Sequence, residues 1–149
     1  MRALFLGIGL TALAACGGAP ASVDERPAIL AEALAPAEDT RLIAALSHAD
    51  WCVSCKALDP KVAAVRAANT FDGVQFLALD YTARDTDAFF AMAAEAGIED
   101  TVRTRFADGV KTGFVMLIDR DSGEILAELK KDMTEAGIEE AISAAAAAA

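Results

Sequence analysis

Histidine occurs once and cysteine three times in 149 residues, too few soft ligands for a large metal cluster. Basic residues are also scarce: 13 Lys and Arg stand against 23 Asp and Glu, a formal charge of −10. That balance argues against nucleic acid as a partner, since a nucleic-acid binder carries a basic footprint. No apolar run reaches the roughly 18 to 20 residues of a membrane-spanning helix. Aromatics are 6% of the chain, and much of its 55% hydrophobic content is Ala. The core must therefore rest on a few Leu, Ile, Val and Phe. What remains is a small acidic domain plus an appendage, with three cysteines to explain.

The appendage comes first. Met1-Arg2 is a short positive start, and Ala3 to Ala15 is apolar, the length of a signal-peptide core rather than of a spanning helix. The run ends Leu13-Ala14-Ala15-Cys16, which resembles a bacterial lipobox. That resemblance implies cleavage after Ala15, lipidation of Cys16 and a location on the periplasmic side of a bacterial membrane. An ordinary secretory signal cut nearby, leaving Cys16 free, is the plainer alternative. Several acyl chains on one Cys anchor stably, whereas a single chain is marginal. Loss of residues 1–15 removes Arg2 and leaves 12 basic residues against 23 acidic ones. Export places the domain in an oxidising compartment.

Residues 16–38 read as a lipidated Cys followed by a flexible tether, because Pro20, Pro27 and Pro36 all lie there. A short helix over 28–35, ended by Pro36, fits inside it. From about Asp39 to Ala149 the pattern is that of one globular domain. Arg41–Ser47 is short, apolar and ambiguous between helix and strand. Val53–Asn69 reads as a helix with Leu58, Val62 and Val65 on one face. Val74–Asp80 and Phe114–Asp119 read as buried strands. Thr86–Ala96 reads as a helix capped by Asp85 or Thr86, with Phe89, Phe90 and Ala93 inward and Gly97 as its stop. Arg120–Gly123 is a turn, and Glu124–Leu129 pairs back as a hairpin. Asp132 and Glu135 have capping-box spacing before a last helix carrying Ile138, Ala141 and Ile142. The alanine tail 144–149 reads as a fraying helix end. Alternating strands and helices predict a three-layer α/β domain.

The chemistry concentrates at Trp51-Cys52-Val53-Ser54-Cys55-Lys56. A Cys-x-x-Cys at a helix start puts the first sulfur where unpaired amides and the helix dipole favour a thiolate. The second sulfur lies one turn on, within reach for a disulfide or for attack on a mixed disulfide. Haem attachment needs His after the second Cys, where Lys56 stands. Structural zinc needs four ligands, and only His48 and carboxylates are at hand. A purely structural bridge over so short a loop stabilises little.

The string from His48 to Pro60 resembles the active-site segment of the thioredoxin superfamily: Trp before the first Cys, Lys after the second, and Pro five residues beyond it. Within that superfamily, Ala49-Asp50-Trp51-Cys52-Val53, followed by Cys55-Lys56, is most similar to the periplasmic C-terminal domain of DsbD-type disulfide reductases. The resemblance implies a thioredoxin-like α/β/α sandwich with a mixed central sheet, in which Arg41–Ser47 is the central strand. It implies Cys52 as nucleophile, Cys55 as resolving thiol, and Trp51 packed beside them. It implies no cofactor beyond the redox-active Cys52–Cys55 disulfide.

The chain departs from the family at three places. Relatives carry a buried Asp six residues before the first Cys, where Leu46 stands here. Asp59 and His48 are the candidates to move the proton of the second thiol instead; the plainer reading makes them a solvated carboxylate and a loop His. Relatives also carry a cis-Pro before the strand placed at Phe114–Asp119. No Pro follows Pro60, and Thr112-Gly113 stands there. A cis bond without Pro costs about 3 kcal/mol, so a trans bond or a rebuilt turn is expected. Finally, Gly97 to Gly113 is a long link with Arg103, Arg105 and Lys111. It reads either as a partner-recognition loop or as a plain surface loop.

Two functions follow. The first is a membrane-anchored periplasmic thiol–disulfide oxidoreductase. Its partners would be protein disulfides and a thiol electron donor of the DsbD kind. Val53-Ser54 resembles reductant-side relatives, which favours a reductase. The second is a non-catalytic binding module, or a dithiol holding a soft metal such as Cu(I).

Overall fold

The computed structural model describes residues 33–149. The signal segment 1–15, Cys16 and the tether up to residue 32 lie outside the described residues. No helix among the described residues is long and apolar enough to cross a membrane.

Strand β1 (Leu42–His48) is buried along its whole length. That burial explains why its sequence shows no alternation: both of its faces are covered, so every position from Leu42 to Ser47 is apolar or small, and His48 alone breaks the run at its end. It settles the Arg41–Ser47 ambiguity as a strand. β1 pairs in parallel with β2 (Val74–Asp80) and antiparallel with β3 (Phe114–Asp119), which pairs antiparallel with β4 (Ile125–Lys130). The result is a mixed four-stranded sheet in the order β2-β1-β3-β4. The last strand sits one residue later than its sequence suggests, and a register irregularity falls at Leu117/Ile118.

Helices α1 (Val53–Ala68) and α4 (Glu135–Ala148) cover one face of the sheet. Leu58, Val62, Val65, Ile138 and Ile142 meet Leu42, Ala44, Leu46, Val115 and Leu117 there. Helices α2 (Thr86–Glu95) and α3 (Glu99–Arg105) cover the other. Phe89, Phe90, Ala93 and Val102 meet Ile43, Ala45, Leu77, Leu79, Met116 and Ile118. Alternate residues of β1 thus serve two separate cores. Phe89 is the hub of the second: Tyr81, Phe90 and Phe106 each meet its ring edge-on, with centroids 5.5 to 5.7 Å away.

Several sequence expectations are corrected. The link from Gly97 to Gly113 is not a plain loop, because Glu99–Arg105 is helical. Only Val102 of that helix is buried, so seven mostly charged residues gave no periodic signal. Arg103 pairs with Glu99 and lies over the Phe90 ring. Arg105 pairs with Glu128 at 2.8 Å and lies over Phe114. The start of α4 is capped by Thr134, whose hydroxyl accepts the Gly137 amide at 3.1 Å; the Asp132 box does not form the cap. The alanine tail continues this helix to Ala148, with Ala145 buried. Residues 33–35 are not helical. They dock on the domain instead, where Gln75 Nε2 donates to the carbonyls of Ala33, Leu34 and Ala35. The last stretch of the tether therefore lies against the edge of β2.

Candidate active site

The end of β1 and the start of α1 bring the singled-out residues together. Cys52 is the N-cap of α1 in an extended conformation, and its sulfur accepts the Cys55 amide at 3.2 Å. A Ser or Asp oxygen commonly fills this role, and here a sulfur fills it. Both thiols are free, and both are buried, with Cys52 7% exposed. Burial works against a thiolate at Cys52. Hydrogen bonds from the Cys55 thiol, the Thr112 side chain and the amides of Cys55 and Ser54 outweigh it and hold the Cys52 thiol below its usual range. Cys55 behaves oppositely. Burial pushes its thiol up, and His48 draws it down less than burial raises it. Its thiol donates to the Ser47 carbonyl at 3.7 Å. The pair is thus an ionisable outer sulfur and a protonated inner one.

The segment before β3 closes the site from the side. Gly113 has φ +101°, a conformation that side chains rarely adopt. A Cβ there would stand 3.1 Å from Cys52 Sγ. The Gly113 amide donates to the Ser47 carbonyl at 2.8 Å, and the Ser47 hydroxyl donates to the Lys111 carbonyl at 2.6 Å. The expectation of a trans bond here holds: there is no cis peptide bond among the described residues, and Thr112-Gly113 approaches β3 with a bend at Gly113. Ser47 is the anchor of this segment. Sequence reasoning missed Ser47 because nothing in a buried strand marks which polar side chain will meet a distant loop.

Trp51 is 44% exposed and Val53 80% exposed, so an apolar rim flanks Cys52. The Trp51 indole donates to the Thr82 carbonyl at 3.1 Å, and Arg84 lies 4.4 Å over its ring. The Thr82 hydroxyl accepts the Asp50 amide at 3.0 Å. Thr82 and Arg84 belong to the β2–α2 loop and were also missed, since they join the site only through parallel pairing of β1 with β2. Lys56 is exposed on α1, and Ser54 is half-buried against Gly113.

His48 and Asp59, far from being a loop His and a solvated carboxylate, lie together under the dithiol. His48 is 3% exposed, and its Nδ1 stands 3.2 Å from Asp59 Oδ2. Leu46 is buried in the core beneath α1 and brings no charge. No group of three or more His, Cys, Asp or Glu among the described residues could hold a metal ion.

Comparison of the chain with protein-family models, curated proteins and solved structures finds no match.

Proposed function

We propose that this chain is a thioredoxin-like thiol–disulfide oxidoreductase working as a disulfide reductase. It would be held by a lipid on Cys16 at the periplasmic side of a bacterial membrane. The observation that carries the reading is the asymmetry of the dithiol: Cys52 caps α1 and ionises below the usual thiol range, while Cys55 is buried and held protonated. A structural bridge has no use for that difference, whereas a nucleophile and a resolving thiol need it. The mixed sheet covered by helices on both faces, with the dithiol where β1 meets α1, supports the thioredoxin-like assignment.

The chemistry balances with the residues present. The Cys52 thiolate attacks one sulfur of a protein disulfide, and the substrate S–S bond breaks. The departing substrate thiolate takes a proton from water. Cys55 then attacks the Cys52 sulfur, the bond from Cys52 to the substrate breaks, and the second substrate sulfur leaves with the proton Cys55 gives up. Two electrons pass from the dithiol to the substrate. An external dithiol donor, of the DsbD kind, reduces the resulting Cys52–Cys55 disulfide.

Cys55→Ser in the full chain tests this. It should accumulate mixed disulfides on Cys52 that disappear when Cys52 is also changed to Ser. Their absence, with Cys52 alkylating no faster than a free thiol, would defeat the reading and favour a binding module. The reduction potential tests direction: about −270 mV supports a reductase, and about −120 mV an oxidant.

A further inference from the structure

His48 is left unexplained by the thiol chemistry alone. It is the single histidine of the chain and lies buried at the end of β1. Both of its ring nitrogens face carboxylates: Nε2 is 3.2 Å from Asp50 Oδ1, and Nδ1 is 3.2 Å from Asp59 Oδ2. A neutral imidazole has one N–H and one lone pair, so one nitrogen would point its lone pair at an anion. Protons on both nitrogens remove that conflict. Burial opposes the charge, but Asp59, Cys55 and Asp50 outweigh it and push His48 up to about 10.

Two polar atoms of this cluster lack an aligned hydrogen-bond partner: His48 Nδ1, despite its ion-pair distance to Asp59, and Asp59 Oδ1. Buried orphans of this kind call for a cause. The Cys55 thiol interacts with the same ring. While protonated, that sulfur donates to the Ser47 carbonyl. Once it loses its proton it becomes an acceptor, buried beside a carbonyl oxygen, and needs a donor.

We propose that His48 is a resident imidazolium whose Nδ1–H is the donor that the Cys55 sulfur takes up as it attacks the mixed disulfide. His48 is thus a positioning residue for the resolving step. The inference rests on the oxidoreductase reading and differs from a proton carrier near neutrality. His48 keeps its own proton throughout, and the proton of Cys55 leaves on the substrate sulfur. The groups around the ring are Asp50 from the loop after β1 and Cys55 and Asp59 from α1. Across the sheet is Asp80, the register partner of His48, whose carboxylate accepts the amide and hydroxyl of Thr82. Cys52 acts on the ring through Cys55.

The test uses the full chain, reduced, with oxidised glutathione as the probe. Rapid acid quenching and mass spectrometry separate formation of the Cys52–glutathione mixed disulfide from its conversion to the Cys52–Cys55 disulfide. His48→Gln should form the mixed disulfide within about twofold of the wild-type rate, because Cys52 has its own donors. Its conversion should be about tenfold slower at neutral pH, and the gap should close as pH rises past the ordinary thiol value, about 8.5. Conversion at the wild-type rate with an unchanged pH profile would overturn this inference alone. A wild-type chain that forms no mixed disulfide would overturn it together with the oxidoreductase reading. Should His48→Gln not fold, nitrogen NMR of the wild-type ring decides. Two protonated ring nitrogens at about pH 8 are expected, and a neutral ring there would sink the proposal.

Discussion

Gly113 and Ser54 approach so closely that a Cβ on the glycine would stand 2.5 Å from Ser54 Cβ. This contact seats the segment before β3 against the first turn of α1 and sets how near that segment comes to Cys52. Neither neighbour can give way easily, because the Gly113 amide is bonded to β1 and Ser54 lies in a helix.

Gly113→Ala should therefore destabilise the domain by about 2 to 4 kcal/mol, combining a strained φ with overpacking. Denaturant midpoints measure the loss. Alkylation of Cys52 in the folded variant should also change, since the added methyl lies beside its sulfur. An alanine variant of wild-type stability would show that this segment moves away freely.

The nucleophile proposed above should be readable by its pH profile. Iodoacetamide should label Cys52 with a midpoint below the usual thiol range, because Thr112 and the amides of Cys55 and Ser54 stabilise its thiolate against the cost of burial. Thr112→Val removes one donor. Its midpoint should move up and its rate at neutral pH fall a few-fold. An unchanged midpoint would remove Thr112 from the site.

His48 makes stability depend on pH. Its folded value is raised from 6.5 to about 10, so the folded state holds this proton more tightly than the unfolded one. Its contribution is complete below about pH 6.5 and is lost as pH climbs through about 10. The Cys55 thiol interacts with the same ring, so the informative quantity is the difference between wild type and His48→Gln in urea midpoints from pH 6 to 10. That difference should shrink as pH rises. A difference that stays flat with pH would mean His48 stabilises by packing and not by charge.

Arg105 should prove structural. It is paired with Glu128 and laid over Phe114 instead of reaching outward. Burial raises the Glu128 carboxyl, but Arg105 and Lys130 outweigh it and hold it below its usual range. Arg105→Gln should cost about 1 kcal/mol near neutrality. The cost should fade in acid, where Glu128 gains a proton. The proposed disulfide reduction should proceed in the folded variant at the wild-type rate. A selective loss of activity toward protein disulfides would restore the idea of a recognition surface there.

What could be read in the residues was local. Val53–Ala68 and Thr86–Glu95 announce themselves through helical spacing of Leu58, Val62, Val65, Phe89 and Ala93, and of the two caps the sequence offered for the second, Asp85 or Thr86, Asp85 is the one. Cys-x-x-Cys at a helix start is likewise a local device, because a sulfur and an amide three residues on are joined by helix geometry alone. Helix α3 was illegible, since seven residues with one buried Val are too few to show a period. Thr134, not Asp132, caps α4, and two good capping residues two positions apart could not be told apart by type and spacing.

The sequence by itself determined the places of α1, α2, β2 and β3 and of the two thiols, all consequences of spacing along one chain; it left Arg41–Ser47 between helix and strand, and only burial on both faces made β1 of it. Tertiary structure alone decided what surrounds those thiols. Ser47 reaches Lys111 across 64 positions, Trp51 reaches Thr82 across 31, and Asp50 and Asp59 close on His48 from opposite sides. These contacts depend on β1 pairing with β2 and β3 at one register, and on α1 folding back over the sheet. Only that packing excludes water from His48 and Cys55, and without that exclusion the imidazole, its two carboxylates and the thiol would have little hold on one another.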